Sequence, residues 1–187
     1  MKGFSPVSTA TASTAAPLLG AQTHFLVRRL HSLTGIVFGG YLVVHLIVNA
    51  TIAQSGDTFQ KQVDKIHSLP FLWALEWGLI FLPILFHTAY GIWITLTGVP
   101  NVNHYPYAKN WFYLGQRVSA VLIVLFMVFH VLSLKYGLFG PTLKFNPHHA
   151  RATVEAHMQA AWWIAWVVYP LGITASCFHL ANGFWAA

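Results

Sequence analysis

The sequence has very little charge. Only 7% of its 187 residues are Asp, Glu, Lys or Arg, where a soluble domain carries about 25%. That deficit excludes a water-solvated surface over most of the chain. Acids are scarcer still: Asp57, Asp64, Glu76 and Glu155 are the only four, so carboxylates carry little of the chemistry. A single cysteine, Cys177, excludes a disulfide framework and a thiolate metal site. A net charge of +6 and a pI near 9.7 raise the question of nucleic acid. Ten basic residues scattered over short loops fit lipid headgroups better, and no nucleic-acid partner is expected.

Apolar residues are plentiful instead, at 56%, with mean hydropathy +0.58. Residues 1–23 are rich in Ser, Thr, Ala and Pro and lack the continuous apolar stretch of a signal peptide; they read as a flexible arm. The remainder, 24–187, reads as one all-α transmembrane domain. It holds four apolar segments: Arg29–Ala53, Pro70–Gly98, Asn110–Gly137 and Ala156 to the end. About 20 residues of helix cross the roughly 30 Å hydrocarbon layer, and helix satisfies every backbone N–H within the segment. Segments 54–69, 99–109 and 138–155 read as loops. Trp73, Tyr107, Trp111, Tyr136, Trp162 and Trp185 stand near the segment ends, at headgroup depth. Basic residues divide five and five between the two faces, so the positive-inside rule gives no orientation.

Histidine is the anomaly. Eleven are present, more than Lys and Arg together. Each apolar segment carries one past its midpoint: His45, His87, His130 and His179. Because chain direction alternates, His45 and His130 lie nearer one membrane face, and His87 and His179 nearer the other. Helix rise puts each about 4–10 Å beyond the bilayer centre. One membrane histidine is commonly a hydrogen-bonding residue between helices. Four, one per helix and paired by depth, suit two haem irons with both axial positions filled. Zinc wants three or four ligands at one depth, and a proton relay wants acids between the imidazoles.

Other residues align with this scheme. Gly91, Gly172 and Gly183 share faces with the histidines and either make room for a flat macrocycle or allow close helix packing. Gly35 and Gly39 form a G-x-x-x-G with the same two readings. Pro83 and Pro170 are expected to kink their helices. Glu76, eleven residues before His87, is expected on the same face, near the depth of His45 and His130, where a buried acid could exchange protons with a quinone. His31, Ser119 and Gln116, with Arg28, Arg29 and Arg117, gather at the level of His87 and His179 and could hold haem propionates or contact a quinone; the arginines could equally snorkel. His24, His67, His104, His148, His149 and His157 are expected to be solvated.

Seven stretches carry a family resemblance: RRLHSLTG at 28–35, HLIVN at 45–49, SLPFLWALE at 68–76, LPILFHTAYGIW at 82–93, NWFYLGQR at 110–117, FHV at 129–131 and FHLANGFW at 178–185. Together they resemble the single-chain, two-haem cytochrome b subunit of succinate:quinone oxidoreductases, the succinate dehydrogenases and fumarate reductases. The resemblance implies two haem b groups, with His87 and His179 on the iron of the haem nearer the cytoplasm and His45 and His130 on the distal one. It implies an N-terminus on the cytoplasmic side of a bacterial inner membrane. Implied partners are an iron–sulfur subunit, a flavoprotein subunit that holds the succinate site, and a quinone, commonly menaquinone; the complex can itself form a homo-oligomer. Two departures stand out. The family has a fifth transmembrane helix, and the sequence read here ends at Ala187, in the fourth. Some members carry a glutamate two residues before the last ligand, where this sequence has Cys177. A cytochrome of another quinone-linked dehydrogenase, and a haem-free transporter or scaffold, are the competing classes.

Overall fold

The computed structural model describes residues 20–140 and 143–186. Residues 1–19, most of the expected arm, lie outside the described residues, while residues 21–23 already belong to the first helix. Among the described residues all regular structure is helical. In chain order, α1 is Ala21–Ala50 and runs into a tight turn at Thr51–Ala53. Next come α2 (Gly56–His67) and α3 (Leu72–Leu75), which continues through a π-helical stretch, Glu76–Phe81, into α4 (Leu82–Thr97). Then follow α5 (Ala108–Leu134), α6 (Ala150–Gln159), a second π-helical stretch at Ile164–Val168, and α7 (Tyr169–Ala186). Four stretches are long and apolar enough to cross a membrane: Gln22–Ala53, Leu72–Thr97, Ala108–Leu134 and Ile164–Trp185. Their outward faces carry large apolar side chains, such as Leu125, Leu96 and Trp166, that stand exposed, as hydrocarbon surroundings allow.

Both proline positions take the same local form. A proline lacks its own N–H and collides with the carbonyl four residues earlier. For Pro83 that carbonyl belongs to Leu79, and for Pro170 to Trp166. Each lies inside one of the π-helical stretches. The i→i+5 spacing widens the turn where an α-helical carbonyl would collide with the ring. A widened turn before each proline is thus the observed response to residues expected to kink their helices.

The segments read as loops at 54–69 and 138–155 are in large part helical. α2 has the signals of a short soluble helix: Ser55 accepts a hydrogen bond from the Thr58 N–H at 3.0 Å, Asp57 sits in the first turn and Lys65 and His67 in the last, matching the helix dipole. Phe59 and Val63, four apart, bury one face against Ala150, with Val48, Ile52, Phe145 and Val154 around them. Gln60 joins α2 to the start of α6, accepting from the Ala150 N–H at 2.9 Å and donating to the Pro147 carbonyl. α6 carries Arg151 and Glu155, paired at 2.6 Å, and these charges keep it outside the hydrocarbon. The fourth span therefore begins at Ile164 rather than Ala156.

One of the histidines expected in solvent is buried by this arrangement. His157 is 1% exposed, packed between Phe129 and Tyr169 with ring centres 5.9 and 5.7 Å away. Neither ring nitrogen has a hydrogen-bond partner. Burial disfavours the cation and lowers its pKa below 6.5. The unfolded chain then binds a proton more readily than the folded one, so stability is retained above pH about 6.5 and falls as pH drops below it. Thermal unfolding of the purified complex between pH 8 and 5 should show this loss, and His157→Phe should flatten that part of the profile. Equal slopes in the two proteins would exclude the assignment. His67, His104, His148 and His149 are exposed, and His24 is half-buried against Trp93.

The spans pack as two pairs. α1 lies along α4, and α5 along α7, with much less contact between the pairs. This leaves a seam, and the membrane histidines face one another across it.

Candidate functional site

The two imidazole pairs have similar geometry. His45 on α1 faces His130 on α5, with ring centres 5.9 Å apart and planes at 89°. His87 on α4 faces His179 on α7, at 6.2 Å and 83°. A metal–imidazole bond of about 2 Å, plus about 1.1 Å from nitrogen to ring centre, doubled, puts ring centres about 6.2 Å apart for two rings on one metal. Both pairs fit that spacing.

The other ring nitrogen is engaged at all four positions. His87 Nδ1 donates to the His31 carbonyl at 3.0 Å. His179 Nδ1 is 3.2 Å from both the Gln116 carbonyl and Ser119 Oγ. His130 Nδ1 meets the Tyr169 hydroxyl at 3.1 Å, and His45 Nδ1 the Tyr41 hydroxyl at 3.3 Å. A carbonyl only accepts, so His87 and His179 carry hydrogen on Nδ1 and keep the Nε2 lone pair. That is the tautomer of a metal ligand held by its outer shell. Asn49 Nδ2 lies 3.4 Å from His45 Nε2, while donating to the His45 carbonyl at 2.8 Å. Among the described residues, no group of three or more His, Cys, Asp or Glu side chains is arranged to hold a metal ion. An iron between these pairs needs its remaining ligands from elsewhere, as a porphyrin supplies.

The other expected site residues divide. His31, Gln116 and Ser119 do meet at the His87/His179 pair. Gln116 donates to the His179 carbonyl at 3.2 Å and accepts from Asn182 at 2.7 Å, and Ser119 is buried. The arginines do not meet there. Arg28 and Arg29 are exposed, Arg29 lying over the Phe25 ring. Arg117 folds back over Tyr113, bonding its hydroxyl, against Gly98. Glu76 pairs with Lys135 at 2.8 Å, and Lys135 also sits over Phe81. Lys135 follows His130 by five residues, so the ion pair lies about 7 Å beyond that imidazole along the helix. The π-helical turns between Glu76 and His87 also break the α-helical phase on which a shared face depended. Both partners are partly exposed, and such a pair contributes below about 1 kcal/mol.

The glycines mark close packing. A Cβ on Gly172 would meet the Phe126 ring, one on Gly91 would lie 3.4 Å from His31 Nε2, and one on Gly183 3.6 Å from Gln116. Within the G-x-x-x-G, Gly35 admits the His87 ring and Gly39 admits Leu180. Sequence reasoning missed the two tyrosines. Tyr41 precedes His45 by one helical turn, a signal that was available. Tyr169 reaches His130 from another helix, which no local spacing reveals.

An all-helical membrane bundle that turns paired, outer-shell-bonded imidazoles into its interior has the build of a cytochrome b membrane anchor. Comparison with known proteins gives the family. The succinate dehydrogenase cytochrome b558 subunit of Bacillus subtilis (strain 168) is 31% identical over 170 residues, covering 90% of this chain and 80% of the relative. The chain belongs to the family of succinate dehydrogenase cytochrome b subunits. No family model and no solved structure matches it.

Proposed function

We propose that this chain is the di-haem membrane anchor of a succinate:quinone oxidoreductase, passing electrons between an iron–sulfur subunit and a membrane quinone, menaquinone in this reading. The observation that carries it is the presence of two separate imidazole pairs at metal-bridging distance, each ring fixed through Nδ1. His87 and His179 hold one haem b, on the cytoplasmic side with the N-terminus, and His45 and His130 hold the distal one. Bound there, haem b supplies reversible one-electron transfer. A haem held by two imidazoles would be suited to electron transfer rather than oxygen binding. Tyr41, Tyr169 and the carbonyls of His31 and Gln116 orient the rings and raise their basicity. Arg28, Arg29 and Arg117 are cations available near the cytoplasmic end for haem carboxylates. Glu76, held by Lys135 beyond His130, is the acid placed to exchange protons with quinone. Partners in this reading are the iron–sulfur and flavoprotein subunits, in a bacterial cytoplasmic membrane. The test is a dithionite-reduced spectrum of the purified complex with haem extracted and counted. Two haem b per chain are expected; one, or none, overturns the reading.

A further inference from the structure

His31 is poised on a neighbour that the pairing scheme alone does not explain. Its ring stacks face to face on His87, with centres 4.1 Å apart and planes 9° from parallel. Its backbone carbonyl takes the His87 Nδ1 hydrogen at 3.0 Å. Tyr90 closes against it edge-on at 5.4 Å. Gly35, one turn along α1, leaves the space that the His87 ring occupies, and Gly91, one turn along α4, leaves space beside His31 Nε2. That nitrogen is buried and has no hydrogen-bond partner. The stacked face of His31 therefore makes a contact while its polar edge makes none.

We infer that His31 is a positioning residue for the ligand His87: its ring face and its carbonyl together fix the plane of the His87 imidazole, and with it the near-perpendicular angle to His179. This rests on the proposed ligand role of His87. Two contacts from one residue restrain a ring in different ways. The hydrogen bond sets where Nδ1 points, but by itself allows the ring to swing about that bond. A parallel ring packed on the imidazole face removes that freedom. The other pair has no equivalent. The aromatic neighbours of His45 and His130 within their own helices are tilted by 33° and 34°. α1 thus serves both levels of the bundle, presenting His45 at one and bracing His87 at the other.

Ligand-plane angle is readable by electron paramagnetic resonance. In ferric low-spin bis-imidazole iron, the largest g value rises as the two planes approach perpendicular and falls as they turn parallel. The experiment uses the whole complex with His31→Leu, His31→Phe and His87→Ala. His31→Leu keeps the carbonyl and removes the stacked face; one low-spin signal should shift to a lower largest g value and the other should stay. His31→Phe keeps an aromatic face and loses no hydrogen bond of Nε2; the shifted signal should return to the wild-type value. Unmoved signals in His31→Leu, or His31→Phe behaving like His31→Leu, would overturn the inference. Should His31→Leu lose one haem outright, its recovery in His31→Phe supports the role, and continued loss overturns it. His87→Ala separates the two readings: if both signals survive that change, the ligand assignment fails, whatever His31 does.

Discussion

Complex purified with His130→Ala should contain one haem b per chain instead of two, with the remaining haem spectrally unchanged. His130 shares its pair with His45 alone, and its Nδ1 bond goes to Tyr169. The other pair draws its bonds from His31, Gln116 and Ser119. The two sets have no residue in common, and substitutions at sites without shared partners act independently. Removing the imidazole deletes half of the pair proposed to hold that haem and leaves a cavity that methyl cannot fill. His45→Ala should give the same spectrum, because it removes the opposite half of the same pair. Haem extraction and the dithionite-reduced difference spectrum check both variants. Loss of both haems, or of neither, would refute the pairing.

Gly35→Ala should have an effect of similar size on the other pair, although it changes no ligand. The added methyl carbon would lie 2.7 Å from His87 Cε1 and 2.9 Å from Nδ1, where carbon contacts settle near 3.5–4.0 Å. The ring has to move by most of an ångström, and the first things lost are the Nδ1 bond to the His31 carbonyl and the approach to His179. Haem content should fall from two toward one per chain, and the surviving spectrum should match that of His87→Ala. Gly40→Ala is the control on the same helix, since nothing lies within 4 Å of its added carbon. Two haems with wild-type spectra in Gly35→Ala would show that the ring is not confined there.

Much of this site is legible in the chain because membrane helices impose a simple ruler. One histidine past the midpoint of each span, with chain direction alternating, is enough to place His45 with His130 and His87 with His179. For Glu76 the ruler is less direct: its phase relative to His87 is counted on uninterrupted α-helix, and the stretch Glu76–Phe81 before Pro83 is π-helical. His157 and α2 did fail, for another reason. Regions too polar to span read as loops, yet Ser55, Phe59 and Val63 already spell a capped amphipathic helix, and the shelter of His157 comes from Phe129 and Tyr169 on other elements.

By itself the sequence determined that the chain is suited to lipid, that four of its segments are apolar and long enough to cross a membrane, and how far along each the imidazole stands, because hydrocarbon thickness and helix rise leave few other solutions. Only the tertiary structure decided that α1 lies along α4 and α5 along α7, that Tyr41 and Tyr169 hold two of the rings, and that His31 lies flat against His87. Those contacts join residues 39 to 56 positions apart, or depend on which face each helix turns inward. Lateral packing sets that choice, and an apolar helix with little amphipathic contrast does not declare it.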